Sequence, residues 1–270
     1  MKKGRFLSSL YIILICIYLI LPLLLTGVYS FFDRWTDILP RGFTTEYYQR
    51  LFADASFVPS IFRGLVICIP AILISVICVL LALYTAIIFA PKLEKYIQLF
   101  CMIPQTIQGV VLAIALLSLY AGSSGPLGNR MVMLVGAYSI MILPFVYNGI
   151  RNNMYAVNTK QLIEAAEILG ASKFTSFLKI VVPCMKSGIM VASLISMAII
   201  FGDFAVIKLV ASSQWKTAMM VLYNMRVAPG QLSSAIIIIL FLIILVLSLS
   251  SLALQNKERK VEVFEKVEEE

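Results

Sequence analysis

The stretch EAAEILGASKFTSFLKIVVP, from Glu164 to Pro183, lies between two long apolar runs and is neither apolar nor uniformly polar. Two apolar patterns can be read off it and the residues just before it: Leu162, Ala165, Ala166 and Leu169, then Phe174, Phe177, Leu178 and Val181. Both follow i, i+3, i+4, i+7, which sets four residues along one face of a helix. Gly170 falls where the first helix would stop, and Ser172 is placed to cap the second. The spacing predicts two short amphipathic helices joined at Gly170. Their apolar face needs cover, from the inner ends of neighbouring spans or from a groove on a partner. A surface connector with no partner fits the same periodicity.

Outward from this stretch, apolar runs occupy about 7–32, 62–90, 97–120, 131–150, 186–209 and 232–254, and a hydrocarbon span takes roughly 20 mostly apolar residues. Of the 270 residues 61% are hydrophobic and 13% charged, with a mean hydropathy of +0.96. A soluble domain has about 25% charged residues, so the composition points to an all-α integral membrane chain with six transmembrane helices. The first run is longer than a signal-peptide core and lacks a small-x-small cleavage site, so it reads as a span. The fifth run is the least clean, since Asp203 and Lys208 fall in its second half.

Positive charge is retained on the cytoplasmic side. With the N-terminus inside, fourteen of the 22 Lys and Arg residues fall on inner segments and eight on outer ones. Both termini, and the loop 151–187, are therefore expected in the cytoplasm. The outer connection from Asp33 to about Ile61 carries turn residues at Pro40 and Gly42, and Thr44 to Phe52 reads as a short helix on the membrane surface. The organisation expected is a first span with an outer loop (1–60), a core (61–254) and a charged cytoplasmic tail (255–270) that frays in solvent.

Several function classes recede. There is no histidine, which removes His-ligated metals and every Ser-His or Cys-His pair. The five cysteines (Cys16, Cys68, Cys78, Cys101 and Cys184) are odd in number with no CxxC pair and read as small buried hydrophobes. The net charge of +8 comes from residues flanking the spans, which fits membrane orientation and not nucleic acid. No GxxxxGK[ST] phosphate loop is present, so ATP has no usual seat here. Polar groups inside spans tend to face a bundle interior or a water-filled cavity. Asp203 heads these pathway candidates: it would attract a cationic solute, pair with Lys208, or stabilise a gate. Gln105, Gln108 and Asn148 follow, each also suited to helix-to-helix hydrogen bonding. Pro70, Pro104 and Pro144 predict kinks, and Trp35 and Trp215 fit an interfacial belt.

Glu164-Ala165-Ala166, three residues, Gly170, nine residues, Ile180, one residue, Val182 and Pro183 resembles the EAA loop of binding-protein-dependent ABC import permeases, with Val182 in place of Leu. Ile103 to Leu117 resembles their third span, and Gly202-Asp203-Phe204 a fifth-span segment of members carrying small polar solutes. The likeness covers roughly residues 61 to 254. It implies the type I importer fold, a bacterial plasma membrane, a dimer of permeases, an extracytoplasmic solute-binding protein, and a separate ABC ATPase dimer that holds ATP and Mg. No cofactor is expected on this chain. Carried over, Glu164 contacts a basic residue of the ATPase, Ala165 and Ala166 keep the helix slim, Gly170 allows the turn, Ala171 belongs with them to the ATPase-coupling set, and Ile180 and Pro183 anchor the loop to the fifth span. The pattern looks closest to spermidine/putrescine permeases, which tilts the pairing toward a heterodimer, with thiamine, aminoethylphosphonate and ferric-ion systems as near relatives. A secondary transporter or channel would need sites and often an inverted repeat within one chain; no repeat is seen. A membrane enzyme would need a catalytic pair, and Asp203 has no second intramembrane carboxylate.

Overall fold

In lipid, an apolar run satisfies its backbone polar groups only by forming a helix or closing a barrel. The computed structural model describes residues 2–34, 41–107, 109–123, 125–211, 215–225 and 229–268, and helix covers most of each apolar run. The chain divides into two compact units, one of Met1–Ser60 with Val221–Leu242, the other of Ile61–Met220 with Ile243–Glu270.

The first unit opens with α1 (Lys2–Tyr29), which contains Pro22; Thr26 Oγ1 donates to the Pro22 carbonyl at 2.8 Å. Among the described residues the helical architecture is interrupted by one small hairpin, in which β1 (Phe32–Arg34) and β2 (Arg41–Phe43) pair antiparallel with Phe32 opposite Phe43. Aromatic residues favour a pleated strand, and Phe31 stacks on Phe43 and Tyr48 with centroids 5.8 and 4.9 Å away. The helix expected at Thr44 to Phe52 is α2 (Glu46–Ala53), which buries Tyr47 and Leu51. Trp35 and Pro40 lie outside the described residues.

In the chain's longer unit, α3 (Phe57–Ile88) runs through Pro70 as one helix. The other predicted spans of this unit are broken. The third holds two helices, α4 (Glu94–Thr106) and α5 (Gly109–Tyr120), and the fourth becomes α6 (Arg130–Met141) and α7 (Leu143–Ala156) at 47°. A proline stands near each break. Pro104 lies in the last turn of α4, where its missing N–H removes one helical bond, while Pro144 stands in the first turn of α7, where its missing donor is harmless. The region after α7 holds α8 (Thr159–Ile168), α9 (Lys173–Ser176), a π-helical turn (Phe177–Val181) and α10 (Val182–Cys184). The fifth span, α11 (Lys186–Gly202), stops at Asp203 instead of reaching residue 209, and α12 (Ala205–Val210) follows. α13 (Ala218–Asn224) leads to α14 (Gly230–Glu268).

Among the described residues, α3 and the Gly230–Ser250 part of α14 are each long and apolar enough to cross a membrane, and the bent pairs raise the number to five; Leu14–Tyr29 in α1 is a shorter apolar helix. The expected fraying of the tail is corrected, since α14 continues to Glu268. Glu, Lys and Arg are good helix formers, and extending an existing helix needs no new nucleus.

The core of the longer unit includes the fully buried Leu134, Tyr138, Ile142, Tyr147, Ile150 and Met154. Ser75 Oγ lies 2.8 Å from the Ser139 carbonyl oxygen, joining α3 to α6. α7 and α11 approach most closely through small residues: a Cβ on Gly149 would lie 2.6 Å from Ala192 Cβ, and one on Gly188 would collide with the Asn153 amide. Small residues at such crossings let helix backbones draw together. The five cysteines are free, and the buried reading holds for Cys68 and Cys101 but not for Cys16, Cys78 and Cys184, which are exposed. Among the described residues no group of three or more His, Cys, Asp or Glu is placed to hold a metal ion.

Candidate functional site

The loop from Glu164 to Pro183 is built by its punctuation. Gly170 has φ +84°, the left-handed turn that ends α8 without a Cβ clash. The Ala171 N–H reaches back to the Ala166 carbonyl at 3.0 Å and the Gly170 N–H to the Glu167 carbonyl at 2.9 Å. This pair of bonds is a Schellman motif, which satisfies carbonyls the helix end would leave open. Two residues on, the Ser172 side chain accepts the Thr175 N–H at 3.3 Å and caps α9, as its position predicts. The π-helical turn follows because Pro183 cannot donate its N–H to the α-helical partner four residues earlier.

The buried face matches the periodic reading in part, since Ala166 is buried and Leu162 is half-buried against the core. α8 buries Thr159, Ile163 and Ala166, while Ala165 points out and Ile168 and Leu169 are 87% and 88% exposed. In the second half Phe177 and Val181 are buried as expected, but Phe174 and Leu178 are half exposed. Ile180 and Pro183 are exposed on the single chain, and the residues of this stretch buried in its own core are Phe177, Val181 and Met185. Glu164 stands on the surface with Lys160 one turn before it at 3.9 Å, an exposed pair worth little that leaves the carboxylate open to another base. Glu167 on α8 and Lys173 on α9 form an ion pair across Gly170 at 3.7 Å.

A second polar constellation was not singled out in the sequence. Arg151 Nε donates to Glu94 Oε1 at 2.6 Å, the Tyr155 hydroxyl donates to Glu94 Oε2 at 2.6 Å, and the Arg151 guanidinium lies 5.0 Å from the Tyr155 ring centroid. It ties the start of α4 to the last turns of α7. The i, i+4 spacing of Arg151 and Tyr155 is visible in sequence, but the carboxylate that completes the group sits 57 residues away.

The pathway candidates separate. Asp203 Oδ2 accepts the Tyr138 hydroxyl at 2.9 Å and the Val206 N–H at 3.0 Å, so the carboxylate caps α12 at the break in the fifth span. Helix interruptions of this kind recur where membrane transporters handle solutes. Gln105 on α4 and Asn148 on α7 are both exposed, and Asn148 Nδ2 lies 4.0 Å from Met102 Sδ. Gln108 lies outside the described residues.

Comparison with known proteins is consistent across sequence and fold. The family model described as "Binding-protein-dependent transport system inner membrane component" matches residues 78–260. The putative 2-aminoethylphosphonate transport system permease protein PhnV of Salmonella typhimurium (strain LT2) is 21% identical over 226 residues, 83% of this chain and 84% of that protein. The spermidine/putrescine transport system permease protein PotC of Escherichia coli (strain K12) is 24% identical over 226 residues, 83% and 81% of the two chains. Among solved structures, a chain of a bacterial ABC transporter involved in the import of alginate superposes with a TM-score of 0.73 at 15% identity, covering 95% of this chain and 96% of that one. A chain of the MetNI methionine ABC transporter does so at 0.60 and 15% identity, covering 77% and 96%. With the family model matching more than half of its length, this chain belongs to the inner membrane components of binding-protein-dependent transport systems and is an ABC importer permease, a transport subunit and not itself an enzyme.

Proposed function

We propose that this permease carries a small ammonium-bearing solute across a bacterial plasma membrane, driven by separate ABC ATPase subunits that dock on the loop from Glu164 to Pro183. The observation that carries the docking is the ridge at the end of α8. Ile168 and Leu169 project almost fully into solvent beside the open carboxylate of Glu164, an apolar pair with an acidic flank that suits a partner groove with a basic rim. In this reading six spans place both termini and the loop in the cytoplasm, ATP and Mg sit on the ATPase chains, and a second, different permease completes the pathway. A binding protein delivers the solute on the opposite face; the alginate transporter has also been crystallised with its alginate-bound periplasmic protein.

The solute we favour is a polyamine, spermidine or putrescine. The PotC likeness supports it, as does the Asp203 carboxylate at the break in the fifth span. The PhnV likeness favours 2-aminoethylphosphonate as a second reading; that molecule also carries a primary ammonium group. Thiamine and ferric ion are further alternatives for the same machinery.

Purifying the chain with its native neighbours tests the assembly, and an intact complex without a nucleotide-binding subunit would refute the docking assignment. A thermal-shift screen of the co-purified binding protein tests the solute. Stabilisation by spermidine or putrescine is expected; stabilisation by 2-aminoethylphosphonate alone selects the second reading, and indifference to all three rejects both.

A further inference from the structure

The loop is continuous in sequence with α11, yet that covalent route is compliant. It passes through the π-helical turn, Pro183 and a 67° bend at Met185 before α11 begins. Breaks of this kind are where helices hinge. The firmer attachment runs sideways, to the end of α3. The Tyr84 ring meets Phe177 at 4.8 Å and Phe174 at 5.7 Å, and Phe89, one residue beyond α3, packs edge-on against Tyr84 at 5.7 Å. The Lys173 ammonium lies 5.7 Å from the Phe89 ring centroid while it also pairs with Glu167 on α8. Phe177 is 1% exposed, so the centre of this aromatic knot is dry. Lys173 thus joins both helices of the loop to the tip of α3.

We propose that Tyr84 and Phe89 are transmission residues of the transport cycle, through which movement of the loop reaches the second span, α3, while the fifth span follows by hinging at Met185. They are positioning residues, acting through the loop and touching neither solute nor nucleotide. The proposal rests on the reading of the loop as the ATPase-docking element. Mechanically, α3 is one unbroken helix of 32 residues, so a displacement imposed at Tyr84 is carried along the span. The contacts that transmit it are geometrically specific, since aromatic pairs hold preferred edge and offset arrangements and the lysine over Phe89 adds a charge-directed contact.

Pulsed EPR on the whole complex in nanodiscs tests it without knowledge of the solute. In a background freed of native cysteines, one spin label at Lys179→Cys is paired with a second at Leu81→Cys on α3, or with one at Met190→Cys on α11. All three positions are exposed. Between the nucleotide-free complex and the vanadate-trapped complex, the 179–81 distance is expected to stay fixed and the 179–190 distance to change. Tyr84→Phe keeps this pattern, whereas Tyr84→Leu, or Phe89→Leu where the former does not assemble, lets the 179–81 distance move. A purely structural role would leave the distances of the assembled leucine variants unaltered. A fixed 179–190 distance with a changing 179–81 distance in the parent protein overturns the proposal. Failure of any ATPase to co-purify or to trap vanadate is a different result, which overturns the docking assignment itself and this proposal with it.

Discussion

The packing of α7 against α11 offers a sharp test, because a single methyl group is at stake. A Cβ on Gly149 would lie 2.6 Å from Ala192 Cβ, whereas carbon atoms settle at about 3.5–4.0 Å. Gly149→Ala must therefore push the helices apart by about 1 Å at this crossing. Overpacking of this kind costs about 1–3 kcal/mol, offset by about 1 kcal/mol from the better helix propensity of Ala. The net expectation is a loss of about 0–2 kcal/mol. Ala192→Gly alone loses about 1 kcal/mol of propensity. The double variant moves the methyl from one helix to the other, so its overpacking vanishes and its propensity terms cancel. Its stability should return close to that of the parent protein, which gives a coupling of about 1–3 kcal/mol. Thermal unfolding of the detergent-purified complex, followed by intrinsic fluorescence for all four proteins, measures this. Simple additivity, with the double variant the least stable of the set, would refute the contact and the register of α7 on α11.

Other expectations follow from the same geometry. At Gly170 a Cβ meets open space, so substitution costs only the left-handed backbone, roughly 1–2 kcal/mol; Gly170→Asn should retain more uptake than Gly170→Val, with both complexes assembled on size exclusion. Arg151 and Glu94 are partly buried, with side chains 30% and 16% exposed. Glu94→Gln should cost about 1.5–3 kcal/mol, as for a charge-assisted bond, and the double variant Glu94→Gln with Arg151→Gln should melt no lower than the worse single one; a steadily additive loss would show that the two do not interact. Asp203→Ala should lose about 1 kcal/mol through the α12 cap, whereas Asp203→Asn keeps the cap. Spermidine uptake that survives Asp203→Asn would remove the carboxylate charge from solute recognition.

The helix pair of the loop was legible because its signals are local. Gly170 and Ser172 act on their own turns, and both do what their residue types predict. The buried face was only partly legible, because it depends on docking. Of the expected face Leu162, Ala165, Ala166 and Leu169, Ala166 turns inward while Ala165 and Leu169 face out and Ile163 takes the buried place, and the loop's second half is fixed by Tyr84, some ninety residues before Phe174 and Phe177. Proline alone was an ambiguous sign: α3 runs through Pro70 while the helices at Pro104 and Pro144 end or restart nearby. Asp203 stood out as a carboxylate in an apolar run, but its partner Tyr138 comes from another helix 65 residues away. The tail misled for a simpler reason, in that a charged composition describes solvation and not conformation. Glu-Lys-rich sequence extends a helix that the apolar run has already nucleated.

The outward-facing Ile168 and Leu169 have a consequence for the life of the chain before it is assembled. Until something covers them, a newly made copy carries a greasy, protease-accessible tag of the sort that cellular quality control reads as incomplete. We expect the half-life of this subunit to shorten in cells lacking its ATPase and to recover when Ile168 and Leu169 are both replaced by Gln; equal half-lives with and without the ATPase would argue against it. The ridge at the end of α8 would then keep subunit numbers matched, by making any surplus permease short-lived.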